Sequence, residues 1–176
     1  MELGYWPIKG RAEPLKWLAA YLAVEIKELN FESRQALEER KLELSQFSPF
    51  MSIPYLKFEN SVVTQKRAIA YALALKADRE ELFGEGEEDK VAVSTLLGVI
   101  EDIESYLLKL FTERQEEDVR ANIQKEMNNF VIPKFEALNS FIGDRFFFMH
   151  YITFADFELA YLKEIFDILA EKLEGF

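Results

Sequence analysis

Strand-like and helix-like periods alternate in the first half of this chain, and only helix-like periods follow in the second. The change comes at Gly84-Glu85-Gly86-Glu87-Glu88-Asp89, a glycine-acid run suited to a linker. Before it, Leu3-Gly4-Tyr5 opens a short strand that Pro7 and Gly10 break. From Arg11 to Leu22, apolar residues recur at helical spacing (Leu15, Leu18, Ala19, Leu22), with Pro14 early enough to be tolerated in the first turn. Val24, Ile26, Leu29 and Phe31 make an imperfect strand. Residues 34–44 are highly charged around Leu37, Leu42 and Leu44, which predicts an exposed amphipathic helix closed by Ser48-Pro49. Ile53 to Phe58 reads as a strand introduced by Pro54. Glu59-Asn60 is a two-residue turn, so 55–58 and 61–63 form a hairpin. Thr64-Gln65 then starts a helix through Ile69, Leu73 and Leu75. The order is strand-helix-strand-helix-strand-strand-helix.

Beyond the glycine-acid run no strand is convincing. Residues 89–112 place Val93, Leu96, Ile100, Ile103, Leu107 and Leu110 near a 3.5 repeat. Residues 117–142 repeat the pattern at Val119, Ile123, Met127, Phe130, Leu138 and Ile142, with a kink or break expected at Pro133 and an end at Gly143-Asp144. Thr153-Phe154-Ala155-Asp156 signals a helix start. The Thr153 hydroxyl is expected to accept the Asp156 N–H while the Asp156 carboxylate accepts the Thr153 N–H, with Ile152 and Phe157 at the staple positions. That helix runs through Leu159, Leu162, Phe166 and Leu169. The reading is an α/β domain over 1–78, a linker over 79–88 and an all-α domain over 89–176.

Charge and composition narrow the function. A net charge of −11 opposes binding to phosphate backbones or to an anionic membrane surface. With no cysteine, neither a disulfide framework nor a thiolate metal site is available, and the single histidine, His150, reads as a loop or surface residue. No metal is expected. No run reaches the roughly 18 apolar residues of a membrane span. Lys9, Arg11 and Glu13 interrupt the N-terminal apolar run, so it does not read as a signal peptide. A soluble, cytoplasmic protein is expected.

Four segments in register resemble one family. Leu3 to Pro14 looks like the N-terminal signature of mu-, alpha- and sigma-like glutathione transferases. Ile53-Pro54-Tyr55-Leu56 looks like their proline-initiated third strand, Thr64 to Ile69 like their helix start, and Ile152 to Phe157 like their buried helix cap. The resemblance covers essentially the whole chain. It implies a thioredoxin-like domain followed by a helical domain, and a tyrosine-type cytosolic transferase that joins the glutathione thiolate to small electrophiles.

The reactive species there is the thiolate, yet a free thiol with pKa about 8.5 is mostly protonated at neutral pH. By resemblance, Tyr5 donates its phenolic O–H to the sulfur and Arg11 supports the anion with a permanent charge. The alternatives are a core tyrosine in a half-buried strand and a solvated first-turn arginine. Trp6 either lines the glutathione site or packs in the core. Pro54 matches the family's cis-proline, which would turn the Ile53 backbone toward the tripeptide; the alternative is an ordinary trans proline at a strand start. Gln65 would hold the γ-glutamyl group near a helix N-terminus. Asp102 falls where members reach the γ-glutamyl amine of a neighbouring subunit, implying a homodimer; otherwise it is one exposed acid among many.

Some positions depart from the pattern. Lys66 replaces the family serine, and either pairs with a ligand carboxylate or points to water. Lys41 stands in for the second-helix lysine only across a gap. Ser52 precedes Ile53-Pro54 in place of the usual asparagine. Phe148-Met149-His150-Tyr151 replaces a Gly-Asp turn before the helix cap. Typical members also continue for further helices past Leu173-Glu174-Gly175-Phe176, so a shortened helical domain is expected. These departures favour an alternative, a non-catalytic subunit of this fold in a larger assembly. A third reading keeps glutathione as cofactor of an isomerisation.

Overall fold

The computed structural model describes residues 1–112, 125 and 127–174. Val119, Ile123, Gly175 and Phe176 lie outside the described residues, as do the side chains of Leu110 and Leu169. The chain forms two compact units, Met1–Glu80 and Glu81–Phe176, divided within a 3-10 turn at Glu80–Phe83.

The first unit holds β1 (Glu2–Tyr5), α1 (Glu13–Tyr21), β2 (Lys27–Asn30), α2 (Arg34–Leu44), β3 (Tyr55–Phe58), β4 (Ser61–Thr64) and α3 (Lys66–Lys76). The sheet order is β2-β1-β3-β4. β1 runs parallel to β2 and antiparallel to β3, and β3 pairs with β4 as a hairpin. Strand alternation decides which helix covers which face. Leu3, Tyr5 and Glu28 point to one side, where Lys16 of α1 meets Glu28 at 2.7 Å and α1 packs on α3. Glu2 and Tyr55 point to the other side, toward α2.

Pro14 stands in the first turn of α1, and Leu15, Leu18 and Ala19 are buried behind it. Each fully buried leucine contributes about 2 kcal/mol. On the other face, Phe31, Leu37, Leu44, Tyr55 and Val62 form a core against which Trp6, Leu29, Met51 and Ile53 pack. Leu42 and Leu75, apolar positions of the two expected helices, are exposed on the solvent faces of α2 and α3.

The second unit contains α4 (Glu87–Thr112), a π-helical turn (Met127–Val131), α5 (Ile132–Ile142) and α6 (Phe154–Glu174) among the described residues. Glu87, Glu88 and Asp89 occupy the first turn of α4, where the helix dipole favours acids. Val93, Leu96, Ile100, Ile103 and Leu107 are buried and α4 packs on α6. Pro133 stands in the first turn of α5. The irregular turn directly precedes it, because a proline has no N–H to offer the carbonyl of Asn129.

The α6 start departs from expectation in one atom. Asp156 Oδ2 does accept the Thr153 N–H, at 2.7 Å. The Thr153 hydroxyl, however, donates to the same Oδ2 at 2.9 Å, and the Asp156 N–H bonds to the Thr153 carbonyl. The hydroxyl proton thus goes to a charged acceptor, the stronger kind of hydrogen bond, while the amide is satisfied by the backbone. Oδ1 accepts the Phe148 N–H at 2.9 Å. The buried stripe of α6 is also shifted, running through Ala155, Glu158, Leu162 and Ile165.

Candidate active site

The register brings three separated segments to one edge of the sheet. Gly4 pairs with Tyr55, and Tyr55 with Thr64. Tyr5 follows Gly4, Pro54 precedes Tyr55 and Gln65 follows Thr64, so Tyr5, Pro54 and Gln65 lie one step beyond a single row. Tyr5 is half-buried. Its phenolic oxygen accepts the Arg11 backbone N–H at 3.1 Å, in the turn leading into α1. A phenol has one proton and two lone pairs, so this bond uses acceptor capacity. Gly10 makes the approach possible: a Cβ there would stand 2.8 Å from the Tyr5 oxygen.

The Ile53–Pro54 bond is cis. Gln65 is exposed and holds φ +72°, a conformation that costs a non-glycine residue about 1 kcal/mol or more and that concentrates at ligand-binding positions. It immediately precedes α3. Lys66, the first residue of α3, is only 8% exposed and has a partner within the protein. The water-facing option for Lys66 is therefore excluded, because its side chain is packed under the helix start.

The Arg11 side chain is exposed, and it is the Arg11 backbone N–H that reaches the Tyr5 oxygen. Trp6 meets Phe31 edge-on at 6.4 Å and packs, partly buried, against the core. Lys41 pairs with Glu38 at 3.0 Å on α2, next to Arg40, whose guanidinium reaches Glu2 at the far end of β1. Asp102 lies in the helical unit, largely exposed and 2.9 Å from Lys134. Among the described residues no group of three or more His, Cys, Asp or Glu could hold a metal ion, and no helix is long and apolar enough to cross a membrane.

Sequence reasoning missed the trio of Glu2, Arg40 and Tyr55. Burial raises the Tyr55 hydroxyl first and the bond to Glu2 adds to it; against the opposing Arg40 bond, it is pushed up to about 12. Burial alone would raise Glu2, but bonds from Arg40 and Tyr55 outweigh it and hold the carboxyl below its ordinary range. Burial likewise opposes charge on Arg40, yet its bonds to Tyr55, Glu43 and Glu2 hold the proton more firmly than usual. The register puts Glu2 and Tyr55 on one face, two residues apart across the β1–β3 pairing, and that proximity is not visible in the linear sequence.

The family model described as the glutathione S-transferase N-terminal domain matches residues 1–74. Human glutathione S-transferase Mu 5 is 31% identical, the match covering 95% of this chain and 78% of that protein. The chain belongs to the glutathione S-transferase family. Human glutathione S-transferase A2 is 29% identical, with 92% of this chain and 71% of that protein covered. Among solved structures, rat hPGDS complexed with a quinoline superposes with a TM-score of 0.75 at 25% identity, covering 99% of this chain and 84% of that one. Prostaglandin synthase D of Nilaparvata lugens shares the fold, with a TM-score of 0.77 at 24% identity, covering 98% of this chain and 84% of that one. The relatives make this a glutathione transferase of alpha- and mu-like type, an enzyme of glutathione conjugation.

Proposed function

We propose that Tyr5 activates glutathione by donating its phenolic O–H to the sulfur, so that the thiolate attacks a small electrophile. The bond from the Arg11 N–H to the Tyr5 oxygen carries this reading. It orients the phenol and polarises its O–H, since hydrogen bonds in series strengthen one another. The sulfur loses its proton to solvent water, and the tyrosine bond holds the thiolate. The thiolate then forms the new bond to the electrophile as the leaving group, halide for an aryl halide, departs with its electron pair. Arg11 adds charge nearby. Ile53, Pro54 and Gln65 hold the tripeptide along the sheet edge, with Lys66 beneath. Lys41 and Asp102 contribute only in an assembled form that redirects their present ion pairs. We further read the transferase as a cytoplasmic, detoxifying homodimer, with exposed Leu42, Phe47 and Phe50 available for an interface; sedimentation velocity measures its mass directly.

The test is ultraviolet difference absorbance of the glutathione thiolate at neutral pH. The parent is expected to show the thiolate band, and Tyr5→Phe to lose it while still binding glutathione. Losing one such donor lowers kcat by about 10²–10³. An undiminished band in Tyr5→Phe would remove Tyr5 from the mechanism.

A further inference from the structure

α2 is weakly held by apolar contact. Of its 11 residues only Leu37 and Leu44 are buried, whereas α3, of equal length, buries five. Arg40 lies between those two leucines on the same side of the helix, and it supplies the missing anchor. Its Nε donates to the Tyr55 hydroxyl at 3.2 Å and its Nη2 to Glu2 Oε1 at 2.6 Å. The Tyr55 hydroxyl donates to the same Oε1 at 2.8 Å, which closes a ring of three bonds joining α2, β1 and β3.

Tyr55 also touches every segment of the site edge without being in it. It follows Pro54 in the chain, and its strand partners Gly4 and Thr64 precede Tyr5 and Gln65. Its fully buried ring lies 6.3 Å from Phe31, which meets Trp6. The loop after α2 ends at Ile53–Pro54, and the Thr64 hydroxyl pins it by donating to the Phe50 carbonyl at 3.0 Å.

We infer that Tyr55, clamped by Arg40 and Glu2, is a positioning residue for glutathione: it fixes α2 and the segment that leads into Ile53–Pro54. This rests on glutathione lying along the Tyr5 edge. The clamp reaches the groups that hold the tripeptide, so it governs binding of glutathione before and during reaction alike. Loosening it changes KM and spares kcat.

The experiment is steady-state conjugation with varied glutathione and a fixed saturating aryl halide, on the parent, Tyr55→Phe, Arg40→Lys and the double variant. Tyr55→Phe keeps the ring; Arg40→Lys keeps the charge beside Glu2 and loses the Nε donor. Each single change is expected to raise KM for glutathione about 2- to 10-fold, the worth of one hydrogen bond, with kcat within about twofold of the parent. The double variant should add little to either, because both break one clamp. Glu43→Gln, which removes only the exposed partner of Arg40, should leave KM alone. A fall in thermal midpoint with KM unmoved in both single variants would reduce the trio to a structural role and overturn the inference. So would a loss of kcat at unchanged KM. A parent whose rate does not saturate with glutathione would sink the site reading as well, whereas a normal parent with unmoved variants sinks this inference alone.

Discussion

At Gly4 an added Cβ would lie 2.1 Å from a ring carbon of Tyr55, and at Gly10 it would lie 2.8 Å from the Tyr5 oxygen. The two glycines guard different properties. Tyr55 is buried, so Gly4→Ala must displace a packed ring; it is expected to destabilise the protein by about 3 kcal/mol, read from urea denaturation. Tyr5 is half-buried and can swing away, so Gly10→Ala should leave the urea midpoint nearly unchanged. It should lower kcat about tenfold or more by displacing the phenol. Tyr55 also sets an alkaline limit. Its hydroxyl titrates near 10.0 unfolded and near 12 folded, so the unfolded chain releases its proton first. Stability is complete below pH 10 and falls as pH rises toward 12. Tyr151, raised to about 12 by burial and its bond to Asp89, acts in the same direction. Glu2 has the opposite sign: its contribution is present above 4.5 and is lost as pH falls through its lower folded value. Tyr55→Phe should flatten the alkaline limb in pH-dependent denaturation and leave part of it, from Tyr151.

Among the elements, α6 and α2 show how far local pattern carries. Thr153 and Asp156 were legible as a helix start because capping is set within a few residues. The third donor to Asp156, the Phe148 N–H, was not, because the path of the preceding loop brings it in. One carboxylate thus satisfies Thr153 N–H, Thr153 hydroxyl and Phe148 N–H. Asp156→Ala is expected to lose about 2–4 kcal/mol in urea denaturation, more than an ordinary cap, and Asp156→Asn less. The burial of Glu104 and Glu158 was equally hidden, since periodicity counts apolar residues and places an acid on the outer face. α2 was correctly read as charged and exposed, yet the sequence could not say that one charge, on Arg40, turns inward.

Over the whole molecule, a ligand that binds only the folded chain stabilises it by mass action. Glutathione at about 100 times its dissociation constant should add about 2.7 kcal/mol, read as a rise in thermal midpoint, and an unshifted midpoint at saturation would argue against a site in the folded chain. The strand and helix order and the hairpin at Glu59-Asn60 were set by the sequence itself, because periodicity and turn chemistry act over neighbouring residues. So was the family, through four short segments in register. Tertiary structure decided the rest. Pairing of Gly4 with Tyr55 and of Tyr55 with Thr64 gathered Tyr5, Pro54 and Gln65 at one edge. Burial took Lys66 out of water, local ion pairs engaged Lys41 and Asp102, and the packing of α2 gave Arg40 its partners. The pair of Lys41 with Glu38 is local to one helix, but Arg40 with Glu2, Gly4 with Tyr55 and Asp102 with Lys134 join groups tens of residues apart, and only packing brings such groups together.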